Sequence, residues 1–181
     1  MKKLFFASVL FAAFSFGATA QETKMVGGAA MYPTKNIVEN AVNSKDHTTL
    51  VAAVKAAGLV ETLQSAGPFT VFAPTNAAFN KLPKGAVDNL LKPENKAMLT
   101  SVLTYHVVAG RMSSADLMKA IKDGGGKAEL TTVQGGKLWA MMKGKNIVLK
   151  DEKGNTSKVT IADVNQSNGV IHVVDTVVMP K

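Results

Sequence analysis

Apolar and polar positions change period midway along the chain. In the first half, Ile37, Val38, Ala41 and Val42 recur at helical spacing, and so do Leu50, Val51, Val54 and Ala57, opened by Asp46 or Thr48 and closed by Gly58. Thr75 or Asn76 can cap a further helical piece carrying Ala78, Phe79 and Leu82, which Pro83 ends. Residues 86–103 read as one helix broken at Pro93, residues 104–108 turn to strand character, and Ser113 or Ser114 caps a helix through Leu117, Met118 and Ile121 that Gly124–Gly126 stops. From about Ala128, turn signals at 134–136, 143–146, 151–155 and 165–169 cut the chain into segments of strand length, a β-meander. Two segments break this plan. Residues 69–73 and 170–178 carry Val, Ile, Phe and Thr on both alternating faces, which suits strands covered on both sides. Helices gathered in the first half and strands in the second predict an α+β fold.

The ends read differently. Met1-Lys2-Lys3, an apolar run over residues 4–17 and Ala18-Thr19-Ala20 form the pattern of a secretory signal peptide, residues 1–20. No later stretch approaches the roughly 20 apolar residues of a membrane span. Residues 21–33 mix Gly27, Gly28 and small residues without period and read as a flexible lead-in, so the domain is expected at 34–181. The export implied is to the periplasm or the medium. There is no cysteine, so no disulfide staples the exported chain. Without Lys2 and Lys3, 19 basic residues stand against 13 acidic ones, and the formal charge falls from +8 to +6.

That excess is nearly all lysine, Arg111 being the only arginine. Base-edge reading leans on arginine geometry, which argues against sequence-specific nucleic-acid binding. The densest basic stretch, Lys137, Lys143, Lys145, Lys150, Lys153 and Lys158, is partly offset by Asp151 and Glu152. It reads either as the solvated face of the meander or as a docking surface for anionic polysaccharide or membrane headgroups.

Catalytic patterns are missing from the sequence. No Gly-x-Ser-x-Gly elbow and no phosphate loop occur, and His47, His106 and His172 are not at metal-ligand spacing to one another. His172 and Asp175 would face opposite sides of a regular strand. No metal, cofactor or enzymatic activity is therefore expected. His172 lies in the least polar stretch and needs internal partners, because an unpartnered buried imidazole costs on the order of 1–3 kcal/mol. Asp175 reads as a similar internal partner. Leu138-Trp139-Ala140-Met141-Met142 is apolar on both faces, so something should cover the second one. Core packing is one reading. The other is a groove at Trp139 and Met141 for an apolar ligand such as a lipid or pigment, or for a partner surface.

Gly67-Pro68-Phe69-Thr70-Val71-Phe72-Ala73-Pro74-Thr75-Asn76-Ala77-Ala78-Phe79 and Asn168–Pro180, with Tyr105-His106 between them, resemble the signature segments of the fasciclin (FAS1) domain family in order and spacing. The resemblance covers about residues 35–180. It implies a β-wedge, mostly antiparallel meander, flanked by several helices, in a single-domain secreted protein of bacterial type. It also implies that His172 is tied to polar side chains of the first segment, here Thr75 or Asn76, as a structural clamp. In animal members the Tyr-His pair is associated with cell-surface receptor binding, which makes Tyr105 and His106 candidate partner-binding residues; a packed tyrosine and a hydrogen-bonded histidine is the alternative. The function these readings imply is non-catalytic adhesion at the cell surface or in a matrix, through protein or polysaccharide. A soluble carrier of an apolar small molecule is the second reading.

Overall fold

A computed structural model describes residues 22–181. The expected signal segment, residues 1–20, lies outside the described residues. In chain order the elements are β1 (Lys24–Val26), β2 (Ala29–Met31), α1 (Ile37–Ala41), α2 (Thr48–Ala57), α3 (Val60–Gln64), β3 (Phe69–Pro74), α4 (Asn76–Phe79), α5 (Ala86–Leu90), α6 (Lys96–Tyr105), β4 (Val107–Ala109), α7 (Ser114–Asp123), β5 (Lys127–Thr131), β6 (Lys137–Lys143), β7 (Asn146–Lys150), β8 (Thr156–Gln166) and β9 (Gly169–Val174).

Seven strands form one sheet in the order β4-β3-β9-β8-β7-β6-β5. All neighbours run antiparallel except β3 and β9, which pair in parallel from Phe69↔Gly169 to Pro74↔Val174. A bridge between Val108 and Thr132 brings the two sheet edges together, and Val133 N–H donates to Val107 O at 2.7 Å, so the sheet nearly closes on itself. Closure hides edges that would otherwise offer unpaired backbone groups.

The double coverage of β3 and β9 has a direct cause. Val71 and Ala73 of β3, with Ile171 and Val173 of β9, join the core against α1–α6. Phe72 and Val174 point the other way, into the interior of the curled sheet, with Leu117, Leu138, Ala140 and Leu149. Two cores therefore share one central pair of strands. Gly169 fits the tight start of that pair: a Cβ there would stand 2.2 Å from Phe69 O.

Residues 24–31 correct the expectation of a flexible lead-in. They form a hairpin whose Gly27 and Gly28 take positive φ values of 58° and 76°, the turn geometry that only glycine adopts without strain. Val26 and Met31 are buried in the helix-side core, and Lys24 Nζ donates to Ala162 O at 2.8 Å. Three-residue strands are too short to show a period, so the two glycines read as looseness rather than as a turn.

Buried amides fasten the helical layer to the sheet. Asn168, just before β9, accepts from Ile37 N–H at 3.0 Å and donates to Leu63 O at 2.8 Å and Ser65 O at 2.9 Å. Asn40 donates to Gln166 Oε1 and to Tyr32 O, and accepts from Tyr32 N–H. Removing a buried partner leaves the other groups unsatisfied at about 1–3 kcal/mol each. Asn168→Ala is therefore expected to lower unfolding free energy by about 2–4 kcal/mol, read as an earlier urea midpoint at unchanged slope. A midpoint within error of the parent would show that Asn168 does not fasten α1 and α3.

Candidate functional site

The sequence-predicted site residues fall into two places, a buried polar set and an open face of the meander. Tyr105 and His106 belong to the first. They do not lie in a strand, as the character of 104–108 suggests: Tyr105 is the last residue of α6, His106 caps it, and they are 0 % and 3 % exposed. Burial of Leu99, Val102 and Leu103 carries the helix through the β-branched residues near its end. Both polar tips are consumed internally. Tyr105 Oη donates to Lys137 O and accepts from Glu152 N–H at 3.2 Å. His106 Nδ1–H donates to Val102 O at 2.8 Å, while Nε2 accepts from Val178 N–H at 3.1 Å. The pair is thus not a surface for a partner. Burial pushes the tyrosine up to about 12 and the histidine down to about 4.

These bonds hold the C-terminal residues against the wedge. Asp151, almost fully buried, accepts from Met179 N–H at 2.9 Å and from Asn155 N–H and Nδ2–H at 2.7 and 3.0 Å. Glu152 accepts from Lys181 N–H at 3.2 Å and Lys137 N–H at 2.9 Å.

His172 is bonded inside the protein, but to other partners than expected. Its Nε2–H donates to Met112 O at 2.8 Å and its Nδ1 accepts from Asp163 N–H at 3.3 Å, with the ring stacked on Phe72 at a centroid distance of 5.7 Å. Asp163 has a positive φ of 56° inside an irregular stretch of β8, and its carboxylate accepts from Ser114 N–H and Oγ–H. Burial lowers the His172 pKa. Thr75 and Asn76 do not reach it. Thr75 Oγ1 caps α4 by accepting from Ala78 N–H at 3.2 Å. Asn76 Oδ1 accepts from Thr49 N–H at 3.0 Å, and its Nδ2 donates to Lys45 O at 2.8 Å, which joins α4 to the start of α2. The reason is alternation: His172 points into the curled sheet, whereas Thr75 and Asn76 lie beyond the end of β3 toward the helices.

Asp175 is half-exposed rather than buried. Its Oδ1 accepts from Lys158 N–H at 2.9 Å and Thr176 Oγ1–H at 3.0 Å, and Oδ2 lies 3.5 Å from Lys81 Nζ. Partial burial alone would raise its pKa; the Lys158, Thr176 and Lys81 groups outweigh that and hold it low.

His47 is the histidine for which the sequence offered no role. It is 3 % exposed, its Nδ1 is 2.9 Å from Ser44 Oγ, and its Nε2 has no hydrogen-bond partner among the described residues. Burial lowers its pKa; the Ala73 carbonyl lies toward the ring without meeting hydrogen-bond geometry and, with Asp46, only partly counters that. His47 lines a cavity of about 80 Å³ whose other walls include Ile37, Leu50, Val54, Leu63 and Ile171.

The open face is built by β5, β6 and β7. Leu138 and Ala140 point inward and are fully buried; Trp139 and Met141 point outward and are half-buried. The face is not a greasy groove. Trp139 pairs across the ladder with Glu129 and Lys150, and Met141 with Lys127. Trp139 Nε1–H donates to Glu129 Oε2 at 3.2 Å, and Lys127 Nζ stands 5.4 Å from the indole centroid. A depression of about 390 Å³ lies against Lys127, Trp139, Met141, Lys150, Glu152 and Lys153. The Lys127 stem lies over part of that outer face. Among the described residues, no three His, Asp or Glu side chains converge in a way that could hold a metal ion.

The buried histidines set a pH dependence with a definite sign. Held neutral, His106 lacks a proton that the unfolded chain takes up below its ordinary value of 6.5, so stability falls as the pH drops from 6.5 to about 4. That interval corresponds to on the order of 3 kcal/mol for His106. His47 and His172 act in the same direction. The urea midpoint should be flat above pH 7 and decline between pH 6.5 and 4, with a shallower decline in His106→Gln. An equally steep decline in that variant would remove His106 from the account.

Comparison with known proteins agrees with this geometry. The Fasciclin domain family model matches residues 45–180. The chain is 45 % identical over 164 residues to protein sll1483 of Synechocystis sp., covering 90 % of this chain and 83 % of that one. It is 34 % identical over 160 residues to the cell surface glycolipoprotein MPB83 of Mycobacterium bovis, covering 86 % and 64 %. The FAS1 domain pair of the insect cell adhesion molecule Fasciclin I superposes with a TM-score of 0.70 at 19 % identity, over 78 % of this chain and 50 % of that one. With its parallel central strand pair, near-closed sheet and matched signature segments, the chain belongs to the fasciclin domain family.

Proposed function

We propose that the chain is an exported adhesion module that works by surface contact and carries no chemistry of its own. The observation behind this reading is where its polar groups are spent. His106, His172 and Tyr105 have their polar atoms bonded to backbone groups, so none of the three is free to move a proton on a substrate. The cell-surface and cell-adhesion designations of MPB83 and Fasciclin I support the same reading. The start of the sequence, with its signal-peptide pattern, is consistent with export.

A second reading is favoured by the cavity beside His47. Its walls are mostly apolar, and among its polar lining residues the His47 imidazole carries a nitrogen without a partner among the described residues, an arrangement suited to a small apolar molecule with one hydrogen-bonding end. At about 80 Å³ it holds a group of a few heavy atoms, and anything larger would have to part α1–α3 from the sheet. This moves the carrier role from Trp139 and Met141 to the other core.

Deletion of the gene in the producing cells is expected to reduce attachment or aggregation several-fold, with rescue by the wild-type chain; unchanged attachment contradicts the adhesion reading. Native mass spectrometry of protein purified from those cells separates the second reading. A stoichiometric added mass that is lost in Leu50→Trp would support the carrier, and a bare chain would exclude it.

A further inference from the structure

We infer that the outward face of β5–β7 is a binding site for an acidic polysaccharide, with a sugar ring laid on Trp139 and Met141 and the acid groups held by Lys127, Lys150 and Lys153; this rests on the adhesion reading above.

The charge around this face is less balanced than the composition suggests. Four carboxylate and lysine side chains beside the three named lysines already have partners. Glu129 pairs with Lys137 at 2.7 Å and accepts from the Trp139 indole. Glu152 and Asp151 accept backbone N–H groups from the start of β6, the C-terminal residues and the β7–β8 turn. Lys127, Lys150 and Lys153 are exposed and make no ion pair among the described residues. Three uncommitted cations thus surround an apolar floor in a depression of about 390 Å³.

That combination selects among polymers. A purely ionic partner needs no indole, and a purely apolar one would leave three lysines to desolvate without recompense. A carboxylated pyranose meets both demands: its C–H face lies against an aromatic plane while its acid group meets an ammonium. The Glu129 bond fixes the indole orientation before the ligand arrives, which cuts the ordering cost of binding. Lys127 over the ring is a weak contact, worth about 0.5–1 kcal/mol when exposed, so it can swing to a ligand carboxylate. Lysine point charges with no arginine fork suit a repeating, loosely registered polymer rather than a single tight anion.

The test uses residues 21–181 and oligogalacturonate, with neutral dextran oligomers and poly-L-glutamate as controls, by isothermal titration at low and high salt. Oligogalacturonate should bind at low salt and weaken at least tenfold in 0.5 M salt. Trp139→Ala and the double variant Lys150→Gln/Lys153→Gln should each weaken it at least fivefold, with unchanged circular dichroism. Dextran should not bind, and poly-L-glutamate should bind more weakly and be indifferent to Trp139→Ala. Equal affinity for poly-L-glutamate, or full oligogalacturonate binding by both variants, overturns the site. Absent oligogalacturonate binding alongside gene-dependent cell attachment also overturns it while leaving the adhesion module intact and pointing to a protein partner; loss of gene dependence fails the underlying reading itself.

Discussion

Everything in this fold depends on a parallel strand pair, β3 with β9, that is buried on both faces. A strand so placed can show only apolar side chains to its two cores, and every polar group at its ends or within it must find a partner inside the protein. Asn168 and Gln166 lead into β9, His172 sits in its middle, and Thr70 lies within β3 with its hydroxyl donating to Gly110 O at 2.7 Å. Asn168, His172 and Thr70 are bonded to backbone outside their own strand, and Gln166 joins Val164 O of β8 to the Asn40 side chain of α1. The pair is thus both the apolar centre of the domain and the point at which helices, meander and C-terminal residues are fastened together.

This constraint explains which parts of the architecture were legible. Long periodic stretches such as 48–57 and 114–123, the turns of the meander and the two-sided apolar strands all declare themselves, because burial on one or two faces leaves a period in the residues. The hairpin at 24–31 leaves none, since three residues per strand cannot establish alternation. Helix α3 passes unread for the same reason, at five residues with only Leu63 buried. Tyr105 and His106 read as strand from local β propensity, which competes with tertiary burial of α6, and tertiary burial wins.

The site was legible by residue type and not by partnership. That His172 must be bonded inside follows from its apolar neighbours; that its partners are Met112 and Asp163 depends on a bulge in β8 and on the approach of the loop after β4, which no spacing reports. His47 stands as an ordinary polar residue before a helix until the cavity beside it is seen. Trp139 shows the reverse case: the alternation of 138–141 was evident, but the lysine that lies over part of the outer face comes from a strand 10 or more positions away.

Internal bonding of the signature residues is what separates a rigid binding scaffold from a reactive one, and its sharpest mark is the proton position on the two histidines. Nitrogen-detected NMR of the imidazole rings reads this directly. His106 should appear at pH 7 as the neutral tautomer protonated on Nδ1, and His172 as the opposite neutral tautomer, protonated on Nε2. His106 should hold its form at pH 5.5, where an exposed histidine is mostly charged, and His172 should take up its proton below the ordinary 6.5. Averaged tautomers, or titration of either ring near pH 6.5, would contradict the account.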